Sequence, residues 1–275
     1  MKRIAFLMAV MASVLLAACG ENTKIEIKYE HPERYSVGDA TLSQPVSGIS
    51  VDWLFGDMEF VYTDDTAVRI HEEMQEGFLP LTDSLRMRYR VDEEGELEIQ
   101  YCGRGKYRYG DLKNIRKHLV VEVPRGTVLD EIDIDGVEAG VIIENVLSRE
   151  VKVDGVKVSV NANYRDALPD EIDIDGVQSL LALHVVPGTA GLTIGMSGIK
   201  PWLTCDLPSR KEGGKTVVGD GRCKVEADGV DVHLSIRELK EEGRRKKEEV
   251  RRNNEELEVD STTQGLNDLK TQRLK

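Results

Sequence analysis

Apolar and polar residues alternate with a period of two through most of residues 46–236, and this pattern predicts β-strands. The heptad EIDIDGV occurs at 131–137 and again, letter for letter, at 171–177. The segment between the two copies, Val151–Val156, has the same pattern, and steps of nineteen and twenty-one residues separate the three. A repeat of roughly twenty residues is typical of a solenoid, in which each coil covers its neighbour's hydrophobic face. We therefore predict an all-β, elongated right-handed β-solenoid (β-helix-like) domain.

The same alignment predicts two outer columns of polar side chains, because neighbouring rungs of a parallel stack lie about 4.8 Å apart. One column contains Asp133, Lys152 and Asp173, with the lysine between the two acids. The other contains Asp135, Asp154 and Asp175, with no cation between them. Two interpretations of the second column stay open. The aspartates bond to backbone N–H groups at an Asp-Gly bend, or they form a weak divalent-cation site.

Further copies of the pattern extend the predicted stack. Ile49–Leu54 follows it upstream, and looser echoes occur at Ile194–Ile199 and Val225–Val230, where the sequence does not fix the register. The first heptad also resembles the opening of a calcium-binding EF-hand loop. However, Ile142 and Ala182 occupy the twelfth position, where such a loop needs glutamate. The heptads are therefore interpreted as strands.

Residues from about 46 to 236 resemble the "putative-adhesin" β-strand-repeat family of bacterial envelope proteins, which is related to head-GIN-type domains. The resemblance rests on Ile49–Glu59, Leu97–Cys102, Leu119–Pro124 and the turn at Val217–Gly221. It implies an elongated all-β solenoid and supplies no catalytic residues. The segments after Val137 and Val177 depart from the Ser-Gly-Asp turn that is common in such domains, which leaves the turn geometry open.

The N-terminus predicts export. Two basic residues precede an apolar stretch, Ile4–Leu16, which is too short to span about 30 Å of hydrocarbon as a helix. Leu16–Gly20 resembles a bacterial lipobox, which implies cleavage before Cys19 and acylation of that residue. An ordinary secretory signal is the alternative.

The chain is accordingly divided into a signal peptide (1–18), a lipid anchor and tether (19–45), the β-solenoid domain (46–236) and a charged helical or disordered tail (237–275). We expect the protein in the bacterial cell envelope, at the outer membrane or the periplasmic face.

The net charge argues against one class of partner, and the cysteine content limits the possible disulfides. The net charge is −13, and it becomes −15 when Lys2 and Arg3 leave with the signal, which argues against nucleic acid as a partner. The chain has four cysteines. With Cys19 assigned to lipid, Cys205 and Cys223 are the plausible disulfide pair and Cys102 is left over.

No catalytic, metal or cofactor site is predicted. Gly213–Thr216 lacks the first glycine of a phosphate-binding loop and runs into a predicted strand. Ser197 lacks the second glycine of a nucleophile elbow, and the five histidines are scattered without metal-ligand spacing.

The strongest local anomaly is a basic segment at 103–118, which contains six Lys or Arg and one acid, Asp111. Arginine and tyrosine on a glycine-flanked loop can hold an anionic or sugar ligand through bidentate hydrogen bonds and ring stacking. The candidate contacts are Arg104, Lys106, Tyr107, Arg108, Tyr109, Lys113, Arg116 and Lys117. The alternative is a solvated turn whose cations pair with the domain's own acids.

Three function classes follow. The leading one is a non-enzymatic, lipid-anchored envelope module for adhesion or for binding an envelope polymer or protein. The second is a structural or signalling lipoprotein that acts through its charged tail. The third is a carbohydrate-active β-helix enzyme, for which the sequence offers no cleft of acids.

Overall fold

Nearly all regular structure in the computed structural model is β-strand. The structure describes residues 23–74, 82–186, 188 and 191–239. The predicted signal peptide, Cys19 and the tail from residue 240 onward lie outside these residues. The chain divides into two units, Met1–Glu238 and Leu239–Lys275, and every strand described here belongs to the first. Within the described part of the chain, no helix has the length and apolar character needed to cross a bilayer.

The described residues of the N-terminal half form ten strands, one short helix and a single 3₁₀ turn at Pro32–Arg34. In chain order they are β1 (Lys24–Ile27), β2 (Ser36–Val37), β3 (Ala40–Thr41), β4 (Gly48–Trp53), β5 (Gly56–Thr63), β6 (Arg69–Met74), β7 (Arg88–Val91), β8 (Glu96–Gln100), β9 (Gly105–Arg108), α1 (Tyr109–Lys113) and β10 (Lys117–Pro124).

In the second half, the residues that the structure describes continue with strands. These are β11 (Val128–Val137), β12 (Ala139–Glu144), β13 (Leu147–Val156), β14 (Ser159–Tyr164), β15 (Glu171–Val177), β16 (Leu180–Val185), β17 (Leu192–Met196), β18 (Trp202–Cys205), β19 (Ser209–Glu212), β20 (Lys215–Val218), β21 (Cys223–Val230) and β22 (His233–Glu238).

Most of these strands form two open sheets. The eleven-stranded sheet has the order β19-β20-β17-β21-β15-β13-β11-β4-β8-β7-β2, and the nine-stranded sheet has the order β18-β22-β16-β14-β12-β5-β10-β6-β3. A pair of consecutive strands, such as β11 and β12, places one strand in each sheet, and equivalent strands of neighbouring pairs are parallel. We call such a pair a rung. The β1 and β9 strands form a separate antiparallel ribbon.

The predicted register of the repeats is confirmed. Ile132 lies opposite Val151, which in turn lies opposite Ile172, and Asp133, Lys152 and Asp173 are aligned in the same way. The upstream copy joins this stack in register through Ile49. The two echoes are also true copies, since β21 pairs in register with β15 and β17 pairs in register with β21.

The spatial order of the rungs departs from their order along the chain at both ends of the stack. Three rungs follow each other in sequence and in space, from β11 to β16. The last rung, β21–β22, then lies between β15–β16 and β17–β18, so the chain skips one position and returns to fill it. At the other end, β4 and β5 lie next to β11 and β12, while β8 and β10 lie outside them.

Alternation along each strand produces the core. In β11, for example, Ile132 and Ile134 are fully buried, and Asp133 and Asp135, which alternate with them, are partly exposed. Burying one such aliphatic side chain contributes roughly 1.5–3 kcal/mol. Trp53, Phe55 and Phe60 are the largest buried aromatic side chains. The core lies between the inner faces of the two sheets, as the period-two pattern requires.

The bend between the two strands of a rung is formed by a non-glycine residue. Glu138, Lys157 and Gln178 adopt left-handed backbone conformations with φ of 50–58°, and the N–H of Glu138 bonds to the carbonyl of Val156 on the next rung at 2.8 Å. The repeated glycine lies two residues earlier, within the strand. It is needed for close approach, since a Cβ on Gly155 would lie 2.2 Å from a neighbouring backbone oxygen.

The predicted disulfide is not formed. Cys205 and Cys223 are free thiols, as is the buried Cys102. Cys205 lies on β18 in the nine-stranded sheet, whereas Cys223 lies on β21 in the eleven-stranded sheet. Burial raises the pKa of the Cys223 thiol to about 12, so this cysteine behaves as a small core residue.

Candidate functional site

The basic segment identified in the sequence is folded rather than an open loop. Residues 105–108 form β9, residues 109–113 form α1, and β10 begins at Lys117. Arg104, Lys106 and Arg108 are exposed, while Tyr107 is partly buried between them. Alternation along β9 therefore places the three cations on the solvent side.

The N-terminal strand β1 doubles this basic surface. It pairs antiparallel with β9, so that Lys24 lies opposite Arg108 and Glu26 lies opposite Lys106. Ile25 and Ile27 alternate with these residues and are buried. We define the basic ribbon as the exposed cations of the two strands and their immediate ends. Its members are Lys24, Lys28, Arg104, Lys106 and Arg108.

Sequence reasoning missed Lys24 and Lys28, although the alternation in KIEIK at 24–28 indicated a strand. It could not show that this strand pairs with a segment eighty residues away. The N–H of Tyr109 also bonds to the carbonyl of Thr23 at 2.8 Å, which fixes the start of β1 against α1.

One acid lies within the ribbon, and it is held ionised. The Lys28 Nζ is 2.9 Å from Glu26. The hydrogen bond from Lys28 lowers the pKa of Glu26, and the positive charges of Lys106 and Arg104 lower it further. Cations from both sides of the ribbon, Lys28 on one side and Arg104 and Lys106 on the other, therefore stabilise the charge of the same carboxylate.

The two tyrosines of the segment, Tyr107 and Tyr109, are partly buried and pack against the core. The Tyr107 hydroxyl donates to the carbonyl of Gly103 at 2.7 Å and lies 3.1 Å from the Ser84 carbonyl. Burial raises the pKa of Tyr107 to about 12. Tyr109 packs edge-on against Phe55, with ring centroids 5.5 Å apart. Both rings are therefore partly used in packing, and their stacking on a ligand stays a prediction.

The remaining predicted contacts, Lys113, Arg116 and Lys117, lie outside the ribbon. Lys113 is exposed and lies 3.7 Å from Glu138 across the bend of a rung, and Arg116 is partly buried. Lys117 is fully buried, so its predicted role as a ligand contact is wrong.

Lys117 belongs to a buried polar cluster. Its Nζ lies 2.8 Å from the buried Glu72 carboxylate and 3.1 Å from the Leu85 carbonyl, and it also donates to the Tyr101 carbonyl. The rings of Trp53 and Tyr101 lie beside the ammonium, with centroids 4.9 and 4.2 Å away. Burial lowers the pKa of Lys117, and Glu72 opposes that shift. The cluster satisfies a buried charge and leaves it out of reach of a ligand.

The column of aspartates is longer than the sequence suggested. Asp52, Asp135, Asp154, Asp175 and Asp228 lie opposite one another along five successive strands. Burial, followed by the charge of Asp52, raises the pKa of Asp135 to about 9. Burial and the charge of Asp175 raise the pKa of Asp154 to about 6. At Asp228 the side chain accepts the N–H of Gly229 at 2.7 Å, as the turn interpretation expects.

The other column departs from its expected pairing. Lys152 lies in register between Asp133 and Asp173, as predicted. Its ammonium, however, lies 2.7 Å from Glu131 and 3.0 Å from Glu150.

A second acidic group lies near a surface groove. Single carboxylate oxygens of Asp92, Glu96 and Glu98 lie within 4.8 Å of one another. Glu98 accepts a hydrogen bond from Arg90 at 2.6 Å, and Asp92 accepts the N–H of Glu96 at 2.9 Å. These contacts account for the position of the acids as a turn and an ion pair. The adjoining groove has a volume of about 960 Å³.

Comparison with known proteins supports the fold. No protein-family model and no curated protein matches the chain. Among solved structures, a putative cell adhesion protein from Clostridium sporogenes is similar, with a TM-score of 0.54 at 14% identity over 74% of this chain and 100% of that one. A putative adhesin from Bacteroides fragilis matches with a TM-score of 0.32 at 8% identity, over 75% of this chain and 98% of that one. The chain thus shares the fold of the Clostridium protein.

Proposed function

We propose that the protein is a non-enzymatic bacterial envelope lipoprotein, anchored through Cys19, whose right-handed β-solenoid domain is an adhesion or binding module. The fold shared with a putative cell adhesion protein from Clostridium sporogenes supports this class. The lipobox-like Leu16–Gly20 supports the anchor. Acylation gives durable attachment when more than one chain is added.

The observation that carries the binding role is the basic ribbon. Five exposed cations surround a single acid on two paired strands, in a protein whose net charge is −13. Exposed like charges repel one another, so their concentration on one small face has a cost unless an anionic partner offsets it. An anionic component of the envelope would make charge-assisted hydrogen bonds to several of these side chains at once.

Binding to isolated envelope fragments tests this proposal. The lipid-free chain from Gly20 to Lys275 contains every strand described above, and its binding is measured by co-sedimentation at about 0.1 M salt, where the Debye length is near 10 Å. The ribbon variant changes all five ribbon cations to serine.

A matched control variant changes five exposed arginines outside the ribbon to serine, which gives the same change of charge. These are Arg125, Arg149, Arg210, Arg222 and Arg237.

We expect the native chain and the control variant to bind and the ribbon variant to bind about tenfold more weakly. Equal binding by all three chains would contradict the ribbon as the binding surface. Absence of binding by the native chain would contradict the proposed function itself.

A further inference from the structure

The position of the ribbon relative to the proposed anchor points to a particular partner. Lys24, the first residue of β1, is five residues from Cys19. Even a fully extended chain covers at most about 18 Å over that distance. If Cys19 carries acyl chains, the ribbon therefore lies within reach of the lipid headgroups.

The charges of the ribbon match such a surface. Lys24 begins β1 and Lys28 directly follows it, and Arg104, Lys106 and Arg108 lie on or next to the partner strand β9. Clustered Lys and Arg beside a membrane attachment point are attracted to anionic headgroups, and the attraction fades within about one Debye length. The connection to Cys19, at most about 18 Å long, keeps the ribbon close enough to enter that range.

The charge of the rest of the chain favours an orientation in which the ribbon faces the membrane. Residues 20–275 carry a net charge of −15, so most other faces of the protein are repelled by an anionic bilayer. Among the described residues the ribbon is a local exception, and Glu26 within it is already paired with Lys28 at 2.9 Å. Attraction at the ribbon and repulsion elsewhere would together select one way for the domain to face the membrane.

We propose that the basic ribbon docks on anionic phospholipid headgroups of the membrane that holds the acyl anchor, and that this contact orients the domain. The inference rests on the anchorage in the proposed function. The acyl chains supply attachment, and the ribbon supplies a second, electrostatic contact. Such two-part attachment is stronger than either part alone, because the second contact forms at high effective concentration.

Vesicles of defined composition test the contact. The lipid-free chain from Gly20 to Lys275 is mixed with vesicles of phosphatidylcholine alone or with about one-third phosphatidylglycerol, at low salt, where surface electrostatics are strongest. We expect binding to the phosphatidylglycerol vesicles by the native chain and the matched control variant. The ribbon variant is expected to bind them about tenfold more weakly or worse.

Two further comparisons distinguish phospholipid headgroups from free phosphate and from other anionic components of the envelope. Inorganic phosphate at the same ionic strength as added chloride should compete no better than chloride, since a free phosphate offers a single site and a bilayer offers many. Equal binding to both kinds of vesicle, or equal binding by the ribbon variant, would overturn the inference. Binding to envelope fragments but not to phosphatidylglycerol vesicles would overturn it while leaving the proposed function in place.

The orientation is tested on the acylated, full mature protein. After incorporation into each kind of vesicle, exposed amines are acetylated briefly and the modified lysines are identified by mass spectrometry. With phosphatidylglycerol present, Lys24, Lys28 and Lys106 should be modified several-fold more slowly, while the exposed Lys157 and Lys211 keep their rates. Unchanged rates at the ribbon lysines would contradict docking even if the protein is anchored.

Discussion

Replacing Lys117 with methionine should destabilise the domain strongly and leave the basic ribbon intact. The ammonium is fully buried and lies 2.8 Å from the Glu72 carboxylate, which is itself 3% exposed. Methionine fills a similar volume but removes the charge, so the Glu72 carboxylate loses its closest cation. It keeps the N–H of Met87 at 2.9 Å and a longer contact to Arg86 at 3.6 Å.

The size of the effect follows from this geometry. Breaking a buried ion pair by removing one partner costs about 3–5 kcal/mol, because an uncompensated charge stays in the interior. The residual contacts of Glu72 favour the lower end, and the loss of donors to the Leu85 and Tyr101 carbonyls adds to the cost. We therefore expect a loss of about 3 kcal/mol in the free energy of unfolding.

Urea unfolding followed by circular dichroism measures this change. With an m-value of about 2 kcal/mol/M, the midpoint should fall by about 1.5 M. Glu72→Gln and the double variant complete a double-mutant cycle, in which we expect the pair to be coupled by more than about 1 kcal/mol. A stable Lys117→Met variant that loses envelope binding would refute the reasoning, since it would return Lys117 to the role of a ligand contact.

Two further predictions concern the rungs of the stack. Gly155→Ala should cost about 3 kcal/mol, since its Cβ would meet a backbone oxygen at 2.2 Å, whereas Gly195→Ala, with no contact under 3.6 Å, should be nearly neutral by the same unfolding assay. The raised pKa values of Asp154, about 6, and Asp135, about 9, mean that the folded state holds these protons more tightly than the unfolded state. The contribution of these two aspartates to stability should therefore be largest below about pH 4. It should decline as the pH rises through 6 and toward 9. Asp154→Asn should add about 1 kcal/mol at pH 8, after allowance for solvent screening, and almost nothing at pH 4. If the stability of the native chain and that of Asp154→Asn change equally between pH 4 and pH 8, the pKa of Asp154 is not raised on folding and the reasoning is contradicted.

The repeated strands could be predicted because their information is local. Period-two alternation with aliphatic residues inward placed the heptads on strands, and matching letters in the three copies gave the register of Ile132, Val151 and Ile172 correctly. The order of the outer rungs could not be predicted in this way. The sequence pattern of β21 fits a position between β15 and β17 as well as a position beyond them. The position of β21 therefore depends on how the connecting segments reach across the sheets.

The candidate site was predicted in part for a similar reason. Its charge density was visible in the sequence, and Arg104, Lys106 and Arg108 are exposed as expected. Lys117 belongs to the same basic segment, but it begins a strand of the nine-stranded sheet, where its side chain contacts a distant acid, Glu72. Lys24 joins the site only through pairing of β1 with β9, a long-range contact that no local pattern specifies.

The account depends most directly on attachment at Cys19. The measurement is mass spectrometry of the N-terminal peptide of the mature protein, isolated from membranes of cells that express the native chain or Cys19→Ala. The account predicts a peptide that begins at Cys19 and carries acyl groups on it, and the loss of that species in the variant. A mature chain that begins at another residue, or a Cys19 without lipid, would contradict the anchorage and with it the membrane contact of the ribbon.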